Sequence, residues 1–74
     1  MNPLEERSAA RSEFLTLIDR LVAEYAGVIP AGSVIRCAAR SREELLRSGV
    51  RGGLLDAAES MTRRRLASRI PAHA

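Results

Sequence analysis

The fold of this chain is decided by residues 21–34, which read LVAEYAGVIPAGSV. Leu21 and Tyr25 are four positions apart, the spacing of apolar side chains along one face of a helix. Gly27 stands where a helix commonly ends, and either Pro30 or Ser33 is able to open the next one. The segment therefore predicts a junction between two helices.

A second junction is predicted at Ser48-Gly49, after which a new apolar period begins. No alternation typical of strands occurs, so helices are the only regular structure the pattern supports. The predicted helices run from about Ser8 or Arg11 to Ala26, from Ala31 to Arg47 and from Val50 to Arg69. Their central apolar stripes are Phe14, Ile18, Leu21 and Tyr25; Val34, Ala38, Ser41 and Leu45; and Leu54, Ala57, Ala58 and Met61.

The connections between the predicted helices are short, which favours antiparallel packing of helices that follow one another in the chain. The sequence thus predicts an all-α protein, a compact up-down-up three-helix bundle over residues 11–69. Residues 1–10 and 70–74 are expected to be flexible tails.

The chain has 74 residues, a size at which a folded domain buries only about 60% of its unfolded surface and is marginally stable. Cys37 is the only cysteine and His73 the only histidine, so we expect no disulfide, no metal site and no cofactor. Oligomerisation is the remaining way to stabilise so small a core.

The net charge is +3, and all twelve basic residues are arginines. Residues 1–32 carry three arginines and five acids, whereas residues 33–74 carry nine arginines and four acids. The first helix can therefore complement the other two, within one chain or between two chains. We find no signal peptide and no apolar stretch long enough for a membrane span, and we expect a cytoplasmic protein without a membrane partner.

Each predicted helix has apolar residues beside its central stripe. These flanking residues are Leu15 and Val22 on the first helix, Ile35 and Leu46 on the second, and Leu55 and Leu66 on the third. A three-helix core could simply need wide stripes. The alternative is that a flank is buried against a second subunit, and these six residues are the predicted dimer interface, with Leu15 and Val22 preferred.

No catalytic apparatus is evident, and we expect no enzyme and no small-molecule substrate. Cys37 is followed by arginines after two and four residues, whereas the phosphate-binding loop of tyrosine phosphatases needs five residues between cysteine and arginine, which here places Glu43. The nine carboxylates are spread over predicted solvent faces, without a histidine to tune them.

Arg63, Arg64 and Arg65 form the strongest local charge run. They could contact nucleic-acid phosphates in a small three-helix DNA-binding or RNA-binding protein, which is the alternative function. Cations near the end of a helix also stabilise its dipole, and we consider nucleic acid an unlikely partner. Arg65 projects on the apolar stripe and Ser41 is the polar member of the second stripe, so both are expected to be structural polar residues of the core.

The chain resembles a known family in residues 14–69. The elements that carry the resemblance are Tyr25-Ala26-Gly27, Val34, Ser41, Leu45 and Arg63-Arg64-Arg65-Leu66. The segment is similar to the three-helix bundle dimerisation domain that precedes the catalytic domain in actinobacterial mycothiol-dependent arsenate reductases and related tyrosine-phosphatase-like proteins. Ile29-Pro30 and Thr62 depart from the family pattern.

The resemblance implies a non-catalytic dimerisation module, since the catalytic domain of those proteins has no counterpart here. The implied partner is a second copy, or a related three-helix domain on an arsenate reductase or phosphatase-like protein. The function predicted from the sequence is therefore protein–protein association.

Overall fold

The computed structural model describes the backbone of residues 3–70 and the side chains of residues 8–70. Three helices follow one another along the chain: α1 (Pro3–Glu24), α2 (Ala31–Arg47) and α3 (Leu54–Ala67). No strand occurs in this part of the chain. The predicted all-α three-helix bundle is confirmed, and α2 has the predicted bounds.

Helix α1 begins earlier than the sequence predicted. It starts at Pro3, so the backbone from there to residue 10 is helical, where a flexible tail was expected. Proline at the first helical position and acids such as Glu5 and Glu6 near the start favour a helix N-terminus without any packing. Side chains 8–13 are all exposed. An apolar-period criterion therefore could not detect this part of α1.

The far ends of the chain fall partly outside the described residues. The predicted C-terminal tail began at Ile70, which is exposed and follows α3. Residues 71–74, with His73, lie outside the described part.

The loop between α1 and α2 buries one apolar side chain, Ile29. Gly27 has φ of +82°, a left-handed conformation that glycine adopts without strain. The amides of Val28 and Ile29 both donate to the carbonyl of Tyr25 at 2.9 Å. Ile29 turns into the core with 7% of its surface exposed. This loop thus closes one end of the bundle.

The second junction ends α2 with a Schellman motif. The Val50 amide donates to the Leu45 carbonyl at 3.0 Å and the Gly49 amide to the Leu46 carbonyl at 3.1 Å, with Gly49 at φ +87°. Gly53 is also left-handed, at φ +67°. The chain therefore reaches a helical conformation only at Leu54, four residues after the predicted start at Val50.

The core is built from α1, α2, α3 and the first loop. Its buried apolar residues are Leu17, Ile18, Leu21, Ile29, Val34, Cys37, Ala38, Ala58 and Leu66. The predicted first and second stripes are largely at this core, although Phe14, Tyr25 and Leu45 are only half-buried and Leu17 and Cys37 were not predicted.

The predicted stripe of α3 was only partly correct, because Ala58 is buried whereas Leu54, Ala57 and Met61 are half-buried. Ala58, Thr62 and Leu66 are the buried residues of this helix, a face rotated by roughly 90° from the predicted one at 3.6 residues per turn. The Thr62 hydroxyl donates to the Ala58 carbonyl at 2.6 Å. This bond satisfies the hydroxyl, and a threonine can then take a core position that its polarity seemed to exclude.

Leu66 should behave as a core residue. It has no exposed surface, and leucine-to-alanine changes at such sites cost about 2–5 kcal/mol. We expect Leu66→Ala to lower the free energy of unfolding by that amount in urea titrations followed by circular dichroism. Val28→Ala, at a residue 60% exposed, should change it by less than about 0.5 kcal/mol. Similar effects of both substitutions would contradict this packing.

Candidate protein–protein interface

Arg63 ties α3 to α1. Its Nη1 lies 2.5 Å from Oε2 of Glu24 and its Nη2 donates to Oε1 of Glu24 at 3.0 Å, a two-pronged contact that suits a planar guanidinium. Its Nε donates to Glu59 Oε2 at 2.9 Å within α3. These bonds lower the pKa of Glu24 and raise that of Arg63 above its usual value. The contact fixes which side of α1 faces α3.

Arg65 ties α3 to α2. Its Nη1 forms an ion pair with Oε2 of Glu44 and donates to the Ser41 hydroxyl at 3.3 Å. Ser41 is fully buried and donates its own proton to the Cys37 carbonyl at 2.8 Å. The hydrogen bond from Arg65 lowers the pKa of the Glu44 carboxyl. Arg65 and Ser41 are thus in contact, and the Arg65 head reaches a carboxylate.

Arg42 ties α2 to α1. Its guanidinium carbon lies 5.3 Å from the centre of the Phe14 ring, within the range of a cation–π contact. The sequence analysis did not anticipate this pair, because nothing in the spacing of either helix brings the two residues together. The contact identifies the side of α2 that faces α1.

On α1, two apolar residues point away from α3. At 100° per residue, Leu15 and Val22 lie about 160–180° around the helix from Glu24, which contacts α3. Leu15 is 49% exposed and Val22 is half-buried. Both therefore lie on the edge of α1 that borders α2.

Helix α2 likewise has two apolar residues on the side opposite its contact with α3. Ile35 and Leu46 lie about 160–180° around the helix from Glu44, which contacts α3, and on the same side as Arg42, which contacts α1. Ile35 is 45% exposed and Leu46 is half-buried. The outer surface of the α1–α2 pair thus carries four apolar residues. We term this set, Leu15, Val22, Ile35 and Leu46, the α1–α2 face.

The other two residues of the predicted interface lie elsewhere. Leu55 is half-buried and packs against the core. It lines a groove of about 320 Å³ with Phe14 and Arg42. Leu66 is fully buried within this chain, and its inclusion in an interface is corrected: the rotation of α3 places it in the core, with no surface for a partner.

The arginine run is largely engaged inside the molecule. Arg63 contacts Glu24 and Glu59, and Arg65 contacts Glu44. Of the three arginines, only Arg64 makes no ion pair with another described residue. Two of the three charges proposed for phosphate contact therefore already have carboxylate partners.

Residues 3–70 contain neither a cluster of metal-binding side chains nor a helix that could span a membrane. No cluster of three or more histidine, cysteine or acidic side chains close enough for a metal ion occurs among them. None of their helices combines the length and apolarity that a membrane crossing needs. Cys37 is a buried free thiol inside α2.

The fold and its faces define an all-α three-helix bundle. Comparison with known proteins found no matching family model, no matching curated protein and no matching solved structure. Functional conclusions for this chain therefore rest on its own residues.

The two interhelix ion pairs should make stability depend on pH. Both Glu24 and Glu44 have a pKa below the usual 4.5 because an arginine donates to the charged carboxylate. Their contribution to the free energy of unfolding is fully present above pH 4.5. It is lost as the pH falls through the lower pKa that each carboxyl has in the folded state. We expect the melting temperature of the wild type to fall in acid. The difference in melting temperature between the wild type and the double variant Glu24→Gln/Glu44→Gln should disappear there.

The matched control for this series is Glu43→Gln, since Glu43 pairs with Arg47 within the exposed surface of α2 and joins no helices. A gap between wild type and the double variant that is constant from pH 7 to pH 3 would contradict the role given to these carboxylates.

Proposed function

We propose that this chain is a non-catalytic association module and that two copies meet through the α1–α2 face. The observation that carries the proposal is the exposure of Leu15 and Ile35, at 49% and 45%, on one side of the bundle beside the half-buried Val22 and Leu46. Large aliphatic side chains grouped on one surface mark an interaction site more often than scattered ones do.

The charges of the two helices support a second copy as the occupant. Helix α1 carries five acids and three arginines, whereas α2 carries four arginines and two acids. A two-fold dimer repeats each contact, so that α1 of one copy can lie opposite α2 of the other in both halves. The opposite net charges of the two whole helices then favour their approach at long range, while Arg36 and Arg40 themselves lie outside the α1–α2 face.

The small core supports the same proposal. Nine apolar residues form the core of the described part of the chain, and domains of this size commonly need an added stabiliser. Burying the α1–α2 face in a dimer would add apolar contact without enlarging the domain.

The matched variants for testing self-association are Leu15→Glu, Ile35→Glu and Val28→Glu. Because the first two place charges on the α1–α2 face at exposed positions, we expect a folded monomer from each. Val28 is 60% exposed but lies in the first loop, outside this face, and its variant should dimerise as wild type does. Sedimentation equilibrium at micromolar concentrations measures the masses.

A monomer mass for the wild type throughout this range would overturn self-association. Equal dimerisation by all three variants would instead overturn the α1–α2 face as the site of contact. If the wild type is monomeric yet binds a related three-helix domain of an arsenate reductase or phosphatase-like protein, with Leu15→Glu abolishing the binding, the association is heterologous.

A titration with duplex DNA separates this function from the nucleic-acid alternative. Since Arg63 and Arg65 are engaged by carboxylates, we expect only weak binding at about 50 mM salt, proportional to DNA length and lost on adding salt. Fluorescence anisotropy with two duplexes of equal length and different sequence provides the measurement. A strong sequence preference would overturn the ranking of the two functions.

A further inference from the structure

A second feature lies between α2 and α3, away from the α1–α2 face. It is a concave site of about 400 Å³ whose walls include Arg36 and Arg40 of α2, Arg65 of α3, and Arg69 just beyond α3. Glu44 is the one acid of the lining, and the Cys37 thiol lies at its wall. We term this site the arginine pocket. It is separate from the proposed dimer contact, because Ile35 and Glu44 lie on opposite sides of α2.

Positive charge in the arginine pocket exceeds negative charge by three. Glu44 is paired with Arg65, while Arg36, Arg40 and Arg69 form no ion pair with any described residue. A concave surface lined by one sign of charge concentrates the electrostatic field and attracts counter-ions. The pocket is therefore prepared for an anion.

The arrangement is poorly explained by helix stability alone. Elsewhere in the chain an acid precedes an arginine by four residues, as in Glu43 with Arg47, and the pair forms an ion pair. In the pocket the same spacing places arginine beside arginine at 36 and 40 of α2, whereas Arg69 on the other wall lies beyond the end of α3. Like charges at this spacing destabilise a helix. A bound anion would reverse that repulsion.

We propose that the arginine pocket binds the phosphate group of a small ligand. Guanidinium groups donate paired N–H bonds that fit the oxygens of phosphate, and a doubly charged anion gains most from three unneutralised arginines. A volume of about 400 Å³ lies within the usual range for small-molecule sites. Either inorganic phosphate or a phosphate monoester would present this group.

The sequence pattern does not reveal this site, because its arginines come from α2, from α3 and from the turn beyond α3. The signal was the pair of arginines at 36 and 40, whose spacing of four residues places both on one edge of α2. Only the packing of α2 against α3 shows that Arg65 and Arg69 border the same cavity. The proposal concerns a ligand and does not depend on self-association.

Calorimetric titration at constant ionic strength tests the site, with inorganic phosphate and phenyl phosphate as probes and chloride as the reference anion. We expect phosphate or its monoester to bind, and Arg36→Gln and Arg69→Gln each to weaken binding about tenfold, the effect of losing one charge-assisted hydrogen bond. The matched control is Arg11→Gln, which removes the same charge from exposed α1 and should change affinity less than twofold.

A second readout uses the position of Cys37. Cys37 is 5% exposed and is one of the residues that line the pocket, so a bound phosphate should slow alkylation of its thiol by neutral iodoacetamide in wild type and not in the pocket variants.

Two outcomes would overturn the proposal. One is that neither phosphate probe binds more tightly than chloride. The other is that Arg11→Gln weakens binding as much as the pocket variants, which would reveal a response to net charge alone. The monomeric variant Leu15→Glu should bind phosphate as wild type does, so a failure of the dimer proposal is distinguishable from a failure of this one.

Discussion

Small side chains set the contact between α2 and α3, the most extensive helix contact in the molecule. The fully buried positions of these helices include Ala38 and Ser41 on α2 and Ala58 and Thr62 on α3. Both hydroxyls donate to a carbonyl of their own helix, so their burial leaves no donor without a partner. Arg65 reaches Ser41 and Glu44 from α3 and forms part of the pocket wall.

Helix α1 is attached to this pair by larger groups and by polar contacts at its edges. Leu17 and Leu21 enter the core with almost no exposed surface, and Glu24 is held by Arg63 near the end of the helix. The two sides of the bundle therefore differ in their exposed residues. The α1–α2 side carries aliphatic side chains, whereas the α2–α3 side carries arginines. One side suits another protein surface and the other suits an anion, so the two proposed activities do not compete for the same residues.

The helical period and the glycine and proline positions were enough to predict three helices, their order and the bounds of α2. They could not predict the face of α3, because Thr62 counts as polar in a sequence pattern until its bond to Ala58 is known. That error also assigned Leu66 to the surface. The start of α1 was missed because residues 8–13, which precede Phe14, are helical although their side chains are exposed. Contacts between helices, such as Arg42 with Phe14 and the shared pocket of Arg36 and Arg69, depend on rotation and register, which a single-chain pattern does not contain.

The unequal attachment of the three helices has a consequence for how the molecule opens. Helix α1 touches α2 and α3 less extensively than these touch each other, and the glycine-containing first loop is its connection to them. Local opening follows the weakest set of contacts. The α2–α3 hairpin is thus the last part to lose its protected amides, and α1 is the part that can swing away first, uncovering Leu17 and Leu21. The α2–α3 hairpin is therefore the more stable part of the domain, and α1 is the less stable part. A partner that covers the outer edge of α1 would also reduce how often the core is exposed to water.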